Sequence, residues 1–253
     1  MRSHSSGSNM SPIVRSPHRR GRLASQAISL LALLTALSCG CNGRSSQRAE
    51  GGAAGSERSA GAERGLPEVE VYAHRLDEPS RDAWQKPGEV VALLDCRPGD
   101  TVVDLGSGTG YFLGFLSRAV GTEGRVLALD ITPRTVEWTE DRAQKEGLSN
   151  IEARRILPDD PGLAPRSADR ILVVDTWHHI EGRVAYATKL APALRRRGVL
   201  MVVDFTMDSP IGPPAAKRLT VDTVVEELEA AGLKTEVLEE SLPYQYVVAA
   251  RAR

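Results

Sequence analysis

"TVVDLGSGTGYF", residues 101–112, decides how the rest of the chain is read. Thr101, Val102, Val103 and Leu105 form a short, largely apolar run interrupted by Asp104. Such a run reads as a buried strand. Gly106, Gly108 and Gly110 follow at every second position, and "YFLGFLSRAV" behind them has a helical pattern. Glycine reaches positive φ and lets a ligand approach the backbone closely. The stretch therefore predicts a strand, a ligand-holding turn and a helix, in that order.

The spacing narrows the ligand. A dinucleotide turn has the form G-x-G-x-x-G. Here Tyr111 stands where that pattern needs its last glycine. Asp104 would also oppose a pyrophosphate, but it suits a cationic partner such as the amino group of a methionine moiety.

Working outward, "RVLALD", "IEARRI", "DRILVVD", "GVLMVVDF", "KTEVLEE" and "YQYVVAAR" read as further strands. Helices are expected at "PRTVEWTEDRAQKEG", with proline early and glycine late, at "RVAYATKLAPALRRRG", and at "TVDTVVEELEAAG", where Thr220 can act as the cap. Strand and helix alternate to residue 205, which implies right-handed crossovers and a mainly parallel sheet. Only "SLP" links the last two strands, too short for a crossover helix, so they are expected to pair antiparallel at one edge.

The ends of these strands carry acids. Asp130 closes the second strand, where a carboxylate can accept from ribose hydroxyls; the competing reading is a cap on the next helix. It is expected to matter for affinity and little for folding. After the third strand comes "ILPDDPGL", whose Asp159 or Asp160 could face an adenine amino group or merely form a turn beside Pro158 and Pro161. The fourth strand ends in "ILVVDTWHHI", with Asp175 followed by His178 and His179. All four sites fall at carboxyl ends of strands, where open α/β sheets bind ligands.

"VVDLGSGTGYF", "VLALDI", "LPDDPGL" and "DTWHHI", in that order, resemble the motifs of class I S-adenosylmethionine-dependent methyltransferases. The resemblance covers about residues 66–250. It implies an α/β, Rossmann-like fold with a mainly parallel seven-stranded sheet and a C-terminal antiparallel strand pair. It also implies S-adenosyl-L-methionine as cofactor, held by Asp104, Gly106, Ser107, Gly108, Gly110, Tyr111, Asp130, Ile131, Asp159, Asp160 and Asp175. His178 and His179 are the candidate catalytic bases, against a reading as packing or helix start. "RDAWQKP", residues 81–87, "GPPAAKRLTVDTVVEELEAAGL" and "LPYQYVV" resemble a subgroup of bacterial methyltransferases, some with export signals. Trp84, Gln85 and Lys86 are expected either to cover the cofactor or, for Trp84, to anchor an N-terminal helix on the core.

The implied function is methyl transfer to a small-molecule acceptor. Two rivals remain: a protein methyltransferase of the isoaspartate type, and a non-enzymatic cofactor-binding envelope protein on the same scaffold. A nucleic-acid partner is not expected, because the formal net charge is -1 and aromatics are only 4% of the chain, without the clustered basic excess such proteins carry. Cys39, Cys41 and Cys96 have neither disulfide-framework nor zinc spacing. Cys96 reads as a small buried apolar residue.

The first quarter is organised differently. Arg15, His18, Arg19, Arg20 and Arg22 precede the apolar run "AISLLALLTALS", residues 27–38, and then Cys39. This is the order of an export signal, and the run is shorter than the roughly 20 residues a spanning helix needs. Cys39 resembles a lipid-bearing first mature cysteine, imperfectly, since leucine and then serine precede it. Residues 1–41 are thus expected to be a signal peptide or lipoprotein signal, 42–65 a linker rich in Gly, Ser and charge, and 66–253 the methyltransferase domain. The protein is expected to be exported, periplasmic or lipid-anchored through Cys39, the alternative being cytoplasmic.

Overall fold

The computed structural model describes residues 77–252. The expected signal, linker and Cys39 anchor lie outside the described residues. Among the described residues no helix is long and apolar enough to cross a membrane.

The chain enters through two short helices, α1 (Arg81–Gln85) and α2 (Pro87–Leu93). Lys86 sits between them at φ 44°, a left-handed turn that ends α1, and Pro87 pre-sets the start of α2. Then follow β1 (Thr101–Leu105), α3 (Leu113–Val120), β2 (Arg125–Asp130), α4 (Pro133–Lys145), β3 (Ile151–Arg155), β4 (Ala168–Val174), α5 (Arg183–Leu190), β5 (Leu194–Phe205), α6 (Val221–Ala230), β6 (Leu233–Leu238) and β7 (Gln245–Ala252). The seven strands form one sheet in the order β3-β2-β1-β4-β5-β7-β6. β1 to β5 are parallel, and β7 lies antiparallel to both β5 and β6. The α/β class, the mainly parallel sheet and the antiparallel terminal pair match the expectation from sequence.

Alternation along each strand builds a core on both faces. Val103, Leu105, Leu127, Leu129, Ile171, Val173, Leu200 and Val202 face α5 and α6. Val102, Val126, Ala128, Leu172, Val174, Met201 and Val203 face α2 and α3. Each fully buried aliphatic side chain contributes about 1.5–3 kcal/mol of transfer free energy, so the central strands are the rigid part. The expected cap on α6 is present: the Thr220 hydroxyl accepts from the Thr223 N–H at 3.1 Å.

One expectation fails. "RVAYATKLAPALRRRG" is not one helix: α5 stops at Leu190, Ala191–Ala193 form a single 3-10 turn, and β5 begins at Leu194. Pro192 has no N–H to continue the helix. The carbonyls of Pro192 and Ala193 instead accept from Arg166 and Ser167 at 2.8 and 2.9 Å, which starts the β4–β5 pairing. The register then shifts between Ala168↔Leu194 and Arg170↔Val199, and the arginines 195–197 occupy the irregularity.

Candidate active site

Because β1, β2, β3 and β4 are parallel, their carboxyl ends share one rim of the sheet, and a cavity of about 720 Å³ opens there. The glycine turn forms its floor. Gly106 N and Ser107 N both donate to the Leu129 carbonyl, at 2.7 and 3.1 Å, which pulls the turn onto the end of β2. Gly106 has φ 77°, and a Cβ there would lie 2.4 Å from the Thr176 side chain. No other residue fits that approach.

Asp104 lines the cavity and is only 3% exposed. Its Oδ2 is buried without a hydrogen-bond partner among the described residues. Burial pushes its carboxyl up to about 7, with Asp130 adding to the rise and Arg81 opposing it. Such a group calls for a donor, ideally a cationic one. Ser107 Oγ, on the same rim, is likewise buried and unpartnered among the described residues.

Asp130 faces the cavity and also binds backbone. Its carboxylate accepts from Gly108 N and Thr132 N, each at 3.0 Å. It therefore ties the glycine turn to the entrance of α4, so the expectation that it hardly matters for folding is revised. Ile131 lines the cavity beside it and is 49% exposed. The two acids after β3 part company. Asp159 faces the cavity rim, whereas the Asp160 carboxylate turns to the Gly162 N–H at 2.9 Å.

Asp175 follows β4 at φ 52°, an uncommon backbone state for a residue with a side chain. Burial pushes its carboxyl up to about 7; Asp204 adds to the rise, while Arg81, His178 and the Gln245 amide oppose it. Four side chains close a polar ring at this point. Arg81 donates to Gln85 Oε1 at 3.0 Å and lies 3.5 Å from Asp175 Oδ2. Gln85 Nε2 donates to Gln245 Oε1 at 2.6 Å, and Gln245 Nε2 donates back to Asp175 Oδ1.

Arg81 is the residue that sequence reasoning missed. Of the neighbouring residues expected to cover the cofactor, Trp84 packs on Phe205 with ring centroids 5.8 Å apart, and Lys86 reaches Ser241. Arg81 and Gln85 are four apart, so they share the inner face of α1. Arg81 lines the cavity and places its guanidinium 4.1 Å over the ring of Tyr111. The Tyr111 hydroxyl in turn donates to Asp82. Asp77 accepts from Thr109 at 2.8 Å, so residues 77–86 are bound to the glycine turn at several points.

The two histidines separate. Trp177–His179 is one 3-10 turn, in which successive side chains point about 120° apart. The His178 ring is turned inward, with Nδ1 2.8 Å from Asp204 Oδ1. His179 faces the cavity mouth and is exposed. Burial of part of its surroundings lowers its pKa from the usual 6.5; His178 and Lys217 add to that and Asp204 opposes it. Its imidazole is therefore neutral at pH 7. Among the described residues no cluster of His, Cys, Asp or Glu could hold a metal ion.

With this geometry in hand, the comparisons with known proteins are decisive. The sequence profile of a methyltransferase-domain family matches residues 97–241, more than half of the chain. The chain belongs to that family. The structure of an S-adenosylmethionine-dependent methyltransferase from Aquifex aeolicus superposes with a TM-score of 0.68 at 27% identity, covering 71% of this chain and 96% of that one. Among curated relatives, a protein-L-isoaspartate O-methyltransferase of Aeropyrum pernix is 29% identical over 136 residues, 53% of this chain and 47% of its own length. A ubiquinone/menaquinone biosynthesis C-methyltransferase of Hydrogenovibrio crunogenus is 25% identical over 124 residues, 49% of this chain and 48% of its own. The chain thus spans about half the length of these curated relatives.

The cofactor of this methyltransferase domain is S-adenosylmethionine, and the residues present fit it. The Asp104 oxygen that lacks a partner among the described residues suits its amino group, and Arg81, which lines the same cavity, brings a positive charge to that end. The crowded Gly106 gives backbone access.

Proposed function

We propose that the protein transfers a methyl group from S-adenosylmethionine to a small-molecule acceptor that carries an acidic O–H, N–H or C–H bond. One observation carries the reading: Asp104, whose buried Oδ2 has no partner among the described residues, and the exposed His179 line the same 720 Å³ cavity, a volume usual for small-molecule sites. Bound S-adenosylmethionine supplies a methyl on a cationic sulfur, which departs as a neutral thioether when the acceptor's electron pair forms the new bond to carbon. In this reading Asp104 and Arg81 hold the amino-acid end, Asp130 the ribose, and Ile131 with Asp159 the adenine. His179 takes the proton that the acceptor gives up, acting as general base. α1 and the Arg81 ring wall off one side of the cavity, so alignment of the acceptor supplies most of the remaining acceleration.

The isoaspartate-type relative keeps a protein acceptor as a second arm of the test. Incubation of the full chain with methyl-labelled S-adenosylmethionine and a small-metabolite extract should label small molecules. Label in an isoaspartyl peptide instead would favour the protein acceptor. Absence of transfer to either would leave a binding protein on this scaffold. The basic stretch, apolar run and Cys39 support export, and mass spectrometry of the mature N-terminus tests it: processing at or soon after Cys39 is expected, and an unprocessed N-terminus that keeps the apolar run would refute export.

A further inference from the structure

The turn that presents His179 is held from both sides by carboxylates, one fully buried and one half-buried. Trp177, fully buried, donates from Nε1 to Glu227 Oε2 at 3.0 Å. Glu227, on α6, also receives Arg183 Nε at 2.8 and 2.9 Å, and Arg183 NH1 donates to the Ile180 carbonyl at 3.3 Å. On the other flank, Asp204 near the end of β5 is fully buried. It gathers three donors: His178 Nδ1, the His178 N–H at 3.2 Å and the Phe205 N–H at 2.9 Å. His179 lies between these anchors with its ring 4.1 Å from that of His178. Neither of its ring nitrogens has a hydrogen-bond partner among the described residues.

A buried carboxylate is costly unless its oxygens are satisfied. Asp204 meets that cost in part with the His178 ring and N–H, the half-buried Glu227 takes Trp177 Nε1, and both flanks of a solvent-facing histidine are fixed as a result. We propose that Asp204 and Glu227 are positioning residues for His179. They hold the turn so that its imidazole stands at the cavity mouth with both nitrogens unengaged, ready to receive the acceptor's proton. The inference rests on His179 being the general base. It assigns His178, whose ring is committed to Asp204, to the scaffold instead of to proton transfer. Positional accuracy is the reason such scaffolding matters, since a displacement of about 1 Å can cost roughly 100-fold in rate.

The test uses the full-length protein labelled at histidine nitrogens, with Asp204→Asn and Glu227→Gln, and His179→Gln to assign the signal. The charged groups facing His179 are His178, Asp204 and Lys217. Loss of the Asp204 charge should move the His179 titration further down in pH. Glu227→Gln keeps an acceptor for Trp177 but loses the Arg183 ion pair, so hydrogen exchange across residues 176–182 should speed up about tenfold or more. Binding of S-adenosylhomocysteine should stay within about threefold of wild type in Glu227→Gln, because that variant leaves the glycine turn intact. With an acceptor in hand, kcat should fall about 100-fold at unchanged KM for the cofactor. If Asp204→Asn does not fold, the exchange measured on Glu227→Gln decides. Unchanged exchange in Glu227→Gln, or an unchanged His179 titration in a folded Asp204→Asn, would overturn the proposal. If titration and exchange move as expected but His179→Gln keeps full transferase activity, the positioning stands and the assignment of the base fails.

Discussion

Replacing Asp130 by alanine separates this account from its simpler rivals. The carboxylate accepts two backbone N–H groups, from Gly108 and Thr132, each at 3.0 Å. A hydrogen bond to a charged group is worth about 1.5–3 kcal/mol when well shielded. Asp130 is only half-buried, so about 1 kcal/mol for each bond is the fitting figure, the middle of the range for ordinary hydrogen bonds. Asp130→Ala should then lower stability by about 2 kcal/mol, a fall in Tm of about 4–8 °C for a domain of this size. If the same carboxylate holds the ribose, affinity falls by a further 2 kcal/mol or so, about 30-fold. Thermal melts report both effects. S-adenosylhomocysteine at about 100 times its wild-type Kd stabilises the wild type by about 2.7 kcal/mol; at the same concentration the variant gains only about 0.9 kcal/mol. A purely structural Asp130 would lower the ligand-free Tm and leave the ligand-induced gain whole. A purely ligand-directed one would leave the ligand-free Tm where it was. Either result would refute the double role.

Three further outcomes are expected. Asp104 and Asp175 ionise near 7 in the folded chain against an ordinary 3.8. The unfolded chain therefore gives up these protons first, so stability of the ligand-free protein should fall as pH rises from about 4 to about 7 and then level off. S-adenosylhomocysteine binding should instead strengthen over the upper part of that range and release a proton, which calorimetry in two buffers of different ionisation enthalpy will show. Gly106→Ala meets Thr176 at 2.4 Å as well as a positive φ, whereas Gly147→Ala has φ 66° and nothing within 4 Å. The second should cost about 1 kcal/mol and the first clearly more, and equal melting temperatures for the two would contradict the crowding. Arg81→Leu should weaken S-adenosylhomocysteine binding about 10- to 150-fold, the range for a charge-assisted hydrogen bond, and unchanged affinity by calorimetry would remove Arg81 from the site.

The sequence disclosed the sheet and the glycine turn because both rest on local signals. Buried parallel strands are continuous apolar runs, and a turn crowded by its neighbours has to be glycine. The Arg81 ring left no such signal. Arginine and glutamine are normally exposed, and only the approach of β7 behind α1 shows that Arg81, Gln85 and Gln245 turn inward together. The histidines show a second limit. His178 and His179 are equivalent on paper, and it takes Asp204, 26 residues away, to draw one ring inward and leave the other at the cavity. At "LAPALRRRG" the local pattern misled, because basic residues before a glycine resemble a helix end. Pro192 and the pairing with β4 outweigh that pattern.

The central claim is that this cavity holds S-adenosylmethionine through the acid and glycines of the first strand and turn. Calorimetric titration of the full-length chain with S-adenosylhomocysteine and, separately, with NAD tests it most directly. One equivalent of S-adenosylhomocysteine should bind, with NAD giving no comparable heat, because Asp104 opposes a pyrophosphate and Tyr111 occupies the position of the required glycine. Tighter binding of NAD than of S-adenosylhomocysteine would contradict the account.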